Sequence, residues 1–222
     1  QAAGRVTQYV ANSRITQQRI GDFYGREAPI IHPPVEVDRF SPGDPEDFFL
    51  VVCELVSHKR VEIALSAAAR AGRPIKVVGD GPELGPLRER FAGRAELLGR
   101  VSDGALCRLY ARAAALVVPN VEEFGIAAVE AQAAGRPVLA VAAGGTLETV
   151  VDGETGILVP TGTVDELAEA MRDVDFGAFR PERIARHARS FSVERFQQRL
   201  AGLVQRASGA AAASPQAAVS GA

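Results

Sequence analysis

From Phe48 onward the chain predicts an α/β fold: a parallel sheet covered by helices on both faces. Two patterns point there. Apolar runs of strand length occur at Phe48–Cys53, Ile75–Val78, Ala95–Leu98, Ala114–Val118, Val138–Val141 and Ile157–Val159. They are near-continuous rather than alternating, which is how strands buried on both faces read. Amphipathic segments fill the gaps: Val61–Ala71, Glu83–Phe91, Asp103–Ala113, Gly125–Ala134 and Thr146–Val151. The 222 residues, 47% hydrophobic and 23% charged, suit a globular chain of one large or two small domains.

The remaining elements follow in order. Thr7–Ala11 reads as a short strand, and Asn12 and Ser13 can cap a helix over Arg14–Tyr24 that Gly25 ends. Pro29–His32 reads as a second strand, halted by Pro33-Pro34. Glu36–Asp47, rich in Pro, Gly and acid, reads as a linker. Three helices, Thr163–Val174, Pro181–Ser190 and Ser192–Ala207, follow the last strand. The Ala/Ser/Gly-rich tail over 208–222 is expected to be disordered.

Composition excludes several classes. A net charge of −2 carries no electrostatic footprint for nucleic acid. No apolar run approaches a membrane span, and the opening QAAGRVTQY lacks the pattern of a secretory leader. Cys53 and Cys107 sit in apolar patterns and read as buried thiols in a reducing cytoplasm. With three scattered His, a metal site has no support.

The chemistry centres on Pro119–Gly135, PNVEEFGIAAVEAQAAG, between two of the apolar runs. Glu122 falls in the loop before a helix and Glu130 lies eight positions further on. Eight helical residues advance about 12 Å, so the two carboxylates suit a long, hydroxyl-rich ligand. A helix leaves its first N–H groups unpaired at the positive end of its dipole. The amides of Phe124, Gly125 and Ile126 can therefore receive a phosphate or sugar oxygen. That Glu122 and Glu123 merely complement the dipole, with Gly125 a packing glycine, stays open at this level.

The run Glu122-Glu-Phe-Gly-Ile-Ala-Ala-Val-Glu130, followed by AQAAGRPVLAVAAGGTLETVVDGETGILV, resembles the retaining glycosyltransferases of family 4, which have the GT-B fold. Their signature is two glutamates with seven residues between, then an Ala/Gly-rich segment and a Gly-Gly-x-x-Glu turn. The likeness extends over roughly Val10 to Val159 and leans toward mannosyltransferase-like members. It implies a division of the chain. Residues 1–37 would close the N-terminal domain and 38–47 link it to a Rossmann-like nucleotide-sugar-binding domain over 48–190. Residues 191–207 would cross back. This would be the C-terminal half of a GT-B fold.

The resemblance also implies roles. Lys59 would neutralise the donor diphosphate, and Glu122 with the amides of Phe124–Ile126 would meet the sugar. Glu130 would hold the ribose hydroxyls, with the base against Val101. Asp103 could accept from guanine, favouring a GDP-sugar slightly, or be a helix N-terminal residue capped by Ser102. Retention of configuration, with no cofactor and no required metal, is implied too. One position departs: where the family has Arg after the first strand, this chain has Cys53-Glu54. A carboxylate at Glu54 repels a diphosphate, and the forked donor is lost. Arg60 or Arg100 would have to substitute.

Other loops read more plainly. Gly79-Asp-Gly-Pro-Glu83 lacks the third glycine of a dinucleotide fingerprint and reads as a structural turn. Ala142-Ala-Gly-Gly-Thr146 either turns the chain or lends N–H groups to the donor.

The expected function is the donor-binding portion of a glycosyltransferase, inactive as this piece alone because the acceptor belongs to the absent domain. The expected place is the cytoplasm, at the inner face of the membrane where the acceptor is a lipid. The alternatives are a non-catalytic nucleotide-binding or interaction protein and, disfavoured by the broken fingerprint, a nicotinamide-dependent oxidoreductase.

Overall fold

A computed structural model describes residues 6–213. Six strands, β1 (Phe49–Val52), β2 (Ile75–Val78), β3 (Glu96–Gly99), β4 (Ala115–Val118), β5 (Val138–Val141) and β6 (Gly156–Val159), form one sheet. Its order is β3-β2-β1-β4-β5-β6, and every pair is parallel. The order reverses between β1 and β4. In such sheets the crevice outside the carboxyl ends of the strands at this reversal takes the ligand.

Alternate residues of each strand feed opposite cores. Leu50, Leu116, Val118, Val138 and Ala140 point to one face. There they meet α4 (Asp103–Arg112) through Tyr110 and α5 (Ile126–Ala133) through Ala128, Val129 and Ala131. Phe49, Val51, Val77, Val117 and Leu139 point to the other. That face is covered by α2 (Val61–Ala71), α3 (Leu84–Arg90) and α7 (Val164–Asp173). Fully buried side chains such as Leu116 and Leu139 each stabilise the fold by roughly 1.5–3 kcal/mol. The predicted parallel, doubly covered sheet is the observed one, with most boundaries moved by a residue.

The first segment differs from expectation. α1 (Arg14–Tyr24) forms as read, with the Ser13 side chain accepting from the Thr16 amide and Gly25 left-handed at its end. The two strands around it do not form. Thr7–Ala11 and Pro29–His32 share one parallel bridge, Ala11 to Ile30. Two short strands with no further neighbour are marginal. A small separate core holds the segment together: Ala11, Ile20 and Ala28.

The stretch read as linker is partly structured. Val37–Arg39 makes a 3-10 turn, and Val37 and Phe40 are buried in the main core. Phe40 meets the edge of Tyr110 with ring centroids 5.6 Å apart.

After β5 come α6 (Thr146–Thr149), a single turn where a longer helix was expected, and α8 (Pro181–Ala188). Buried Gln132 joins them to α5: its Nε2 donates to Thr149 O at 2.6 Å and its Oε1 lies 2.7 Å from His187 Nδ1. α9 (Val193–Ala213) runs past Ser208, where the tail was expected to begin. Residues 214–222 of that tail lie outside the described residues. Among the described residues no helix is long and apolar enough to cross a membrane. Both cysteines are free thiols.

Candidate functional site

A cleft of about 650 Å³ opens at the order reversal, between the carboxyl ends of β1 and β4. The chain leaving β1 makes a 3-10 turn over Ser57–Lys59, and Arg60 then takes a left-handed conformation (φ 53°) before α2 starts. This bend brings Lys59 across to the loop after β4. Its Nζ lies 2.8 and 2.9 Å from the two carboxylate oxygens of Glu122. Asn120, 3% exposed, donates from Nδ2 to Glu122 Oε1 at 2.9 Å. Both charged side chains are only about a fifth exposed (21% and 20%), so the pair is shielded from solvent. It is an ion pair that an incoming anion has to reorganise.

The start of α5 borders the same cleft. Gly125 is left-handed (φ 94°) and offers no side-chain cap. The amides of Phe124, Gly125, Ile126 and Ala127 make no hydrogen bond among the described residues. They are the orphan donors of a helix start, facing a cleft that already holds a lysine.

What shapes this loop is the glycine turn after β5. A Cβ on Gly145 would lie 2.3 Å from Phe124 Cα, and one on Gly144 would lie 2.3 Å from Glu122 O. The Gly145 amide donates to Glu122 O at 2.7 Å, while those of Ala142 and Ala143 serve Val159 O and Val141 O. These three N–H groups are committed to the fold, and the turn braces the loop that carries Glu122 and Phe124.

The other predicted residues divide into two groups. Glu54 lines the cleft and also a neighbouring cavity of about 580 Å³, with Arg100 and the Gly79-Asp80-Gly81 turn. Among the described residues the side chains of Glu54 and Arg100 make no hydrogen bond or ion pair. Arg60, offered as a substitute for the arginine of the resemblance, lines neither cavity, and its Nη2 donates to Gly162 O at 3.1 Å. The Gly79–Gly81 turn is structural: a Cβ at Gly79 would fall 1.8 Å from Cys53 O. Burial lifts the Cys53 thiol to about 11, leaving it unreactive as a nucleophile.

Glu130, Val101 and Asp103 lie outside the lining of the Lys59 cleft. Glu130 Oε2 accepts the Tyr110 hydroxyl at 2.9 Å. Burial raises its carboxyl above the ordinary range, against the hydrogen bond from Tyr110 and the nearby Arg39 charge. Val101 packs against the core below. Asp103 lies in the first turn of α4 and is paired at 2.9 Å with Arg39 from the 3-10 turn. Ser102 is the cap, accepting from the Ala105 amide.

Sequence reasoning missed Asn120, Tyr110, Arg39, His32 and Glu148. Only Asn120 carried a local signal, a polar residue just past the end of a central strand. Among the described residues no group of three His, Cys, Asp or Glu could hold a metal ion. A larger cavity, about 860 Å³, lies at the amino ends of the strands beside Arg73 and Arg136 and contains none of the predicted residues.

A parallel sheet with a cleft at the order reversal and bare helix amides beside a lysine is the arrangement by which open α/β proteins are recognised, with their ligand crevice at that reversal. Residues 36–190 match the family described as Glycosyl transferases group 1, and the chain belongs to that family. It is 34% identical to a D-inositol 3-phosphate glycosyltransferase of Geodermatophilus obscurus, over 100% of this chain and 57% of the relative. A protein of the same name from Mycobacteroides abscessus is 33% identical over 73% of this chain and 43% of the relative. The chain thus spans about half the length of the relatives it matches. Among solved structures, Anabaena HepE in complex with UDP and glucose superposes with a TM-score of 0.80 at 22% identity, covering 92% of this chain and 64% of that one. A sucrose-phosphate synthase from Thermosynechococcus elongatus gives 0.78 at 22% identity, covering 90% and 58%. At this identity the likeness speaks for the GT-B fold.

Proposed function

We propose that this chain is the donor-binding portion of a retaining family 4 glycosyltransferase that uses a nucleoside diphosphate-sugar. The observation that carries it is the Lys59–Glu122 pair beside the bare amides of Phe124–Ala127 in one cleft. As the diphosphate departs it gains negative charge, and fixed positive groups in a water-poor site stabilise that charge most. Lys59 and the α5 dipole would supply it without a metal ion. Glu122, released from Lys59, would then be free to accept from sugar hydroxyls. Glu130, held by Tyr110, would take the ribose.

For the base, uracil fits better than the guanine first favoured. Asp103, the carboxylate proposed to read guanine, is in an exposed ion pair with Arg39 that a base would displace at little cost, so the choice rests on the points that follow. Uracil asks for one backbone acceptor and one donor, which the turn at Val101 can offer. The UDP bound by HepE agrees with this choice. The relatives' name suggests a phosphorylated polyol as acceptor, held on the domain that this chain does not span. A mannosyl donor is the less supported version of the proposal, and transfer is expected of the full-length enzyme, in the cytoplasm or at a membrane face.

A second reading, a nucleotide-binding protein without catalysis, is favoured by one feature. Glu54 sets an unpaired carboxylate in the cleft while Glu122 already neutralises Lys59. Calorimetric titration with UDP, GDP, ADP and NAD tests both. Selective UDP or GDP binding is the expected result, and Glu54→Arg should tighten it by about tenfold, equivalent to ~1.4 kcal/mol. Absence of binding to any nucleotide would sink the donor-site assignment. Tight binding with no sugar transfer or hydrolysis by the full-length protein would select the second reading.

A further inference from the structure

The segment over residues 6–32 has its own small core, yet its polar contacts with the main domain converge on the donor loop. Arg19 donates to Glu123, the neighbour of Glu122. Glu148, on α6, has a side chain only 6% exposed and uses both oxygens toward this segment. Its Oε1 accepts the Arg14 amide at 2.8 Å, at the first turn of α1, and its Oε2 lies 3.0 Å from His32 Nε2. A carboxylate accepts on both oxygens, so the proton in the second contact belongs to Nε2.

The His32 ring in turn stacks on Phe124, with centroids 5.4 Å apart and planes 25° apart. Phe191 meets the edge of Phe124 at 5.5 Å. Phe124 is 4% exposed, and its backbone begins the run of unpartnered amides. One side of that backbone is pressed by Gly145. The ring on its other end is set by a histidine that is itself locked to α6.

We propose that His32 is a positioning residue for the amide cradle at the start of α5. Its ring seats Phe124 and its Nε2–H ties that ring to Glu148, so the sugar end of a donor meets N–H groups already aimed at it. The proposal rests on the donor-site reading above. A pre-aimed cradle binds more tightly because less freedom is lost on binding. The arrangement also couples the seating of residues 6–32 to occupancy of the cradle, and such coupling acts equally in both directions.

Two contributions, ring and proton, can be separated. His32→Ala removes both, His32→Phe keeps the ring, and His32→Gln keeps a donor for Glu148. Each is titrated with UDP-glucose beside UMP, and with GDP-mannose beside GMP. A monophosphate stops short of the cradle. In His32→Ala the nucleotide-sugar affinity should fall about tenfold while the monophosphate affinity stays level. His32→Phe and His32→Gln should each recover part of the loss. Equal losses for both ligands would show a general structural role and overturn the proposal, as would unchanged nucleotide-sugar affinity in His32→Ala. If the wild type binds monophosphate and nucleotide-sugar equally, the cradle has no sugar to aim at and the proposal falls alone. If it binds no nucleotide, the donor-site reading falls and takes this one with it.

Discussion

Sixty-three positions separate Lys59 from Glu122 along the chain, and 2.8 Å separates their charged atoms. Lys59→Met keeps the length of the side chain and removes the charge. Donor affinity should fall by at least about tenfold, while folding stability drops by about 1–3 kcal/mol because Glu122 loses a charged partner. Calorimetry and urea unfolding on the same protein check both. Glu130 allows a sharper test. Its carboxyl is raised by burial, so the folded state holds the proton more tightly than the unfolded chain. That contribution to stability is fully present below the unfolded value of about 4.3 and is lost as pH rises through the folded one. Glu130→Gln keeps an acceptor for Tyr110 and cannot ionise. Relative to this variant, the wild type should lose stability on going from about pH 4 to neutrality, as read by urea midpoints at each pH. An unchanged difference would show that Glu130 is not held in a desolvated place.

At the scale of elements, local chemistry was a good guide wherever the partners of an element lie close in sequence. α1 and α2 have the predicted ends because left-handed glycines stop them, Gly25 and Gly72. The strands of the sheet were visible as apolar runs because both faces are covered. The runs at 7–11 and 29–32 looked similar but make a single bridge, since strand formation depends on neighbours that periodicity does not reveal. The glycine turn after β5 was legible as a turn, with its part as brace or as source of amides left open. Its function is close approach, and Gly145→Ala tests that. The added methyl would meet backbone that cannot swing aside. Stability should fall by about 1–3 kcal/mol or more, with a loss of nucleotide-sugar affinity in the protein that still folds. Urea unfolding and calorimetry together would show whether the brace matters to the site. Wild-type stability would mean that the loop yields freely.

For the molecule as a whole, the order of strands decides both stability and the place of the site. β1, β2, β4 and β5 are internal, β2 lies beside the edge strand β3, and every residue of β4 and β5 is buried. β3 is an edge strand with Glu96 and Leu98 exposed. Native-state hydrogen exchange should therefore be slowest in β1, β4 and β5 and fastest, of the six, in β3. Fast exchange at β4 would contradict this packing.

Taken alone, the order of residues determined the parallel α/β class and most element positions, the helix after Glu122 among them, because burial on two faces and helix ends leave short-range marks. It also singled out Glu122, from its loop before the helix, and Lys59, through the family resemblance. Only the tertiary structure decided that these two meet, that Asp103 is taken by Arg39, that Glu130 rests on Tyr110, and that His32 and Glu148 stand behind Phe124. Those contacts join residues distant in sequence, and their geometry depends on how the packed sheet and helices bring them together rather than on any local preference.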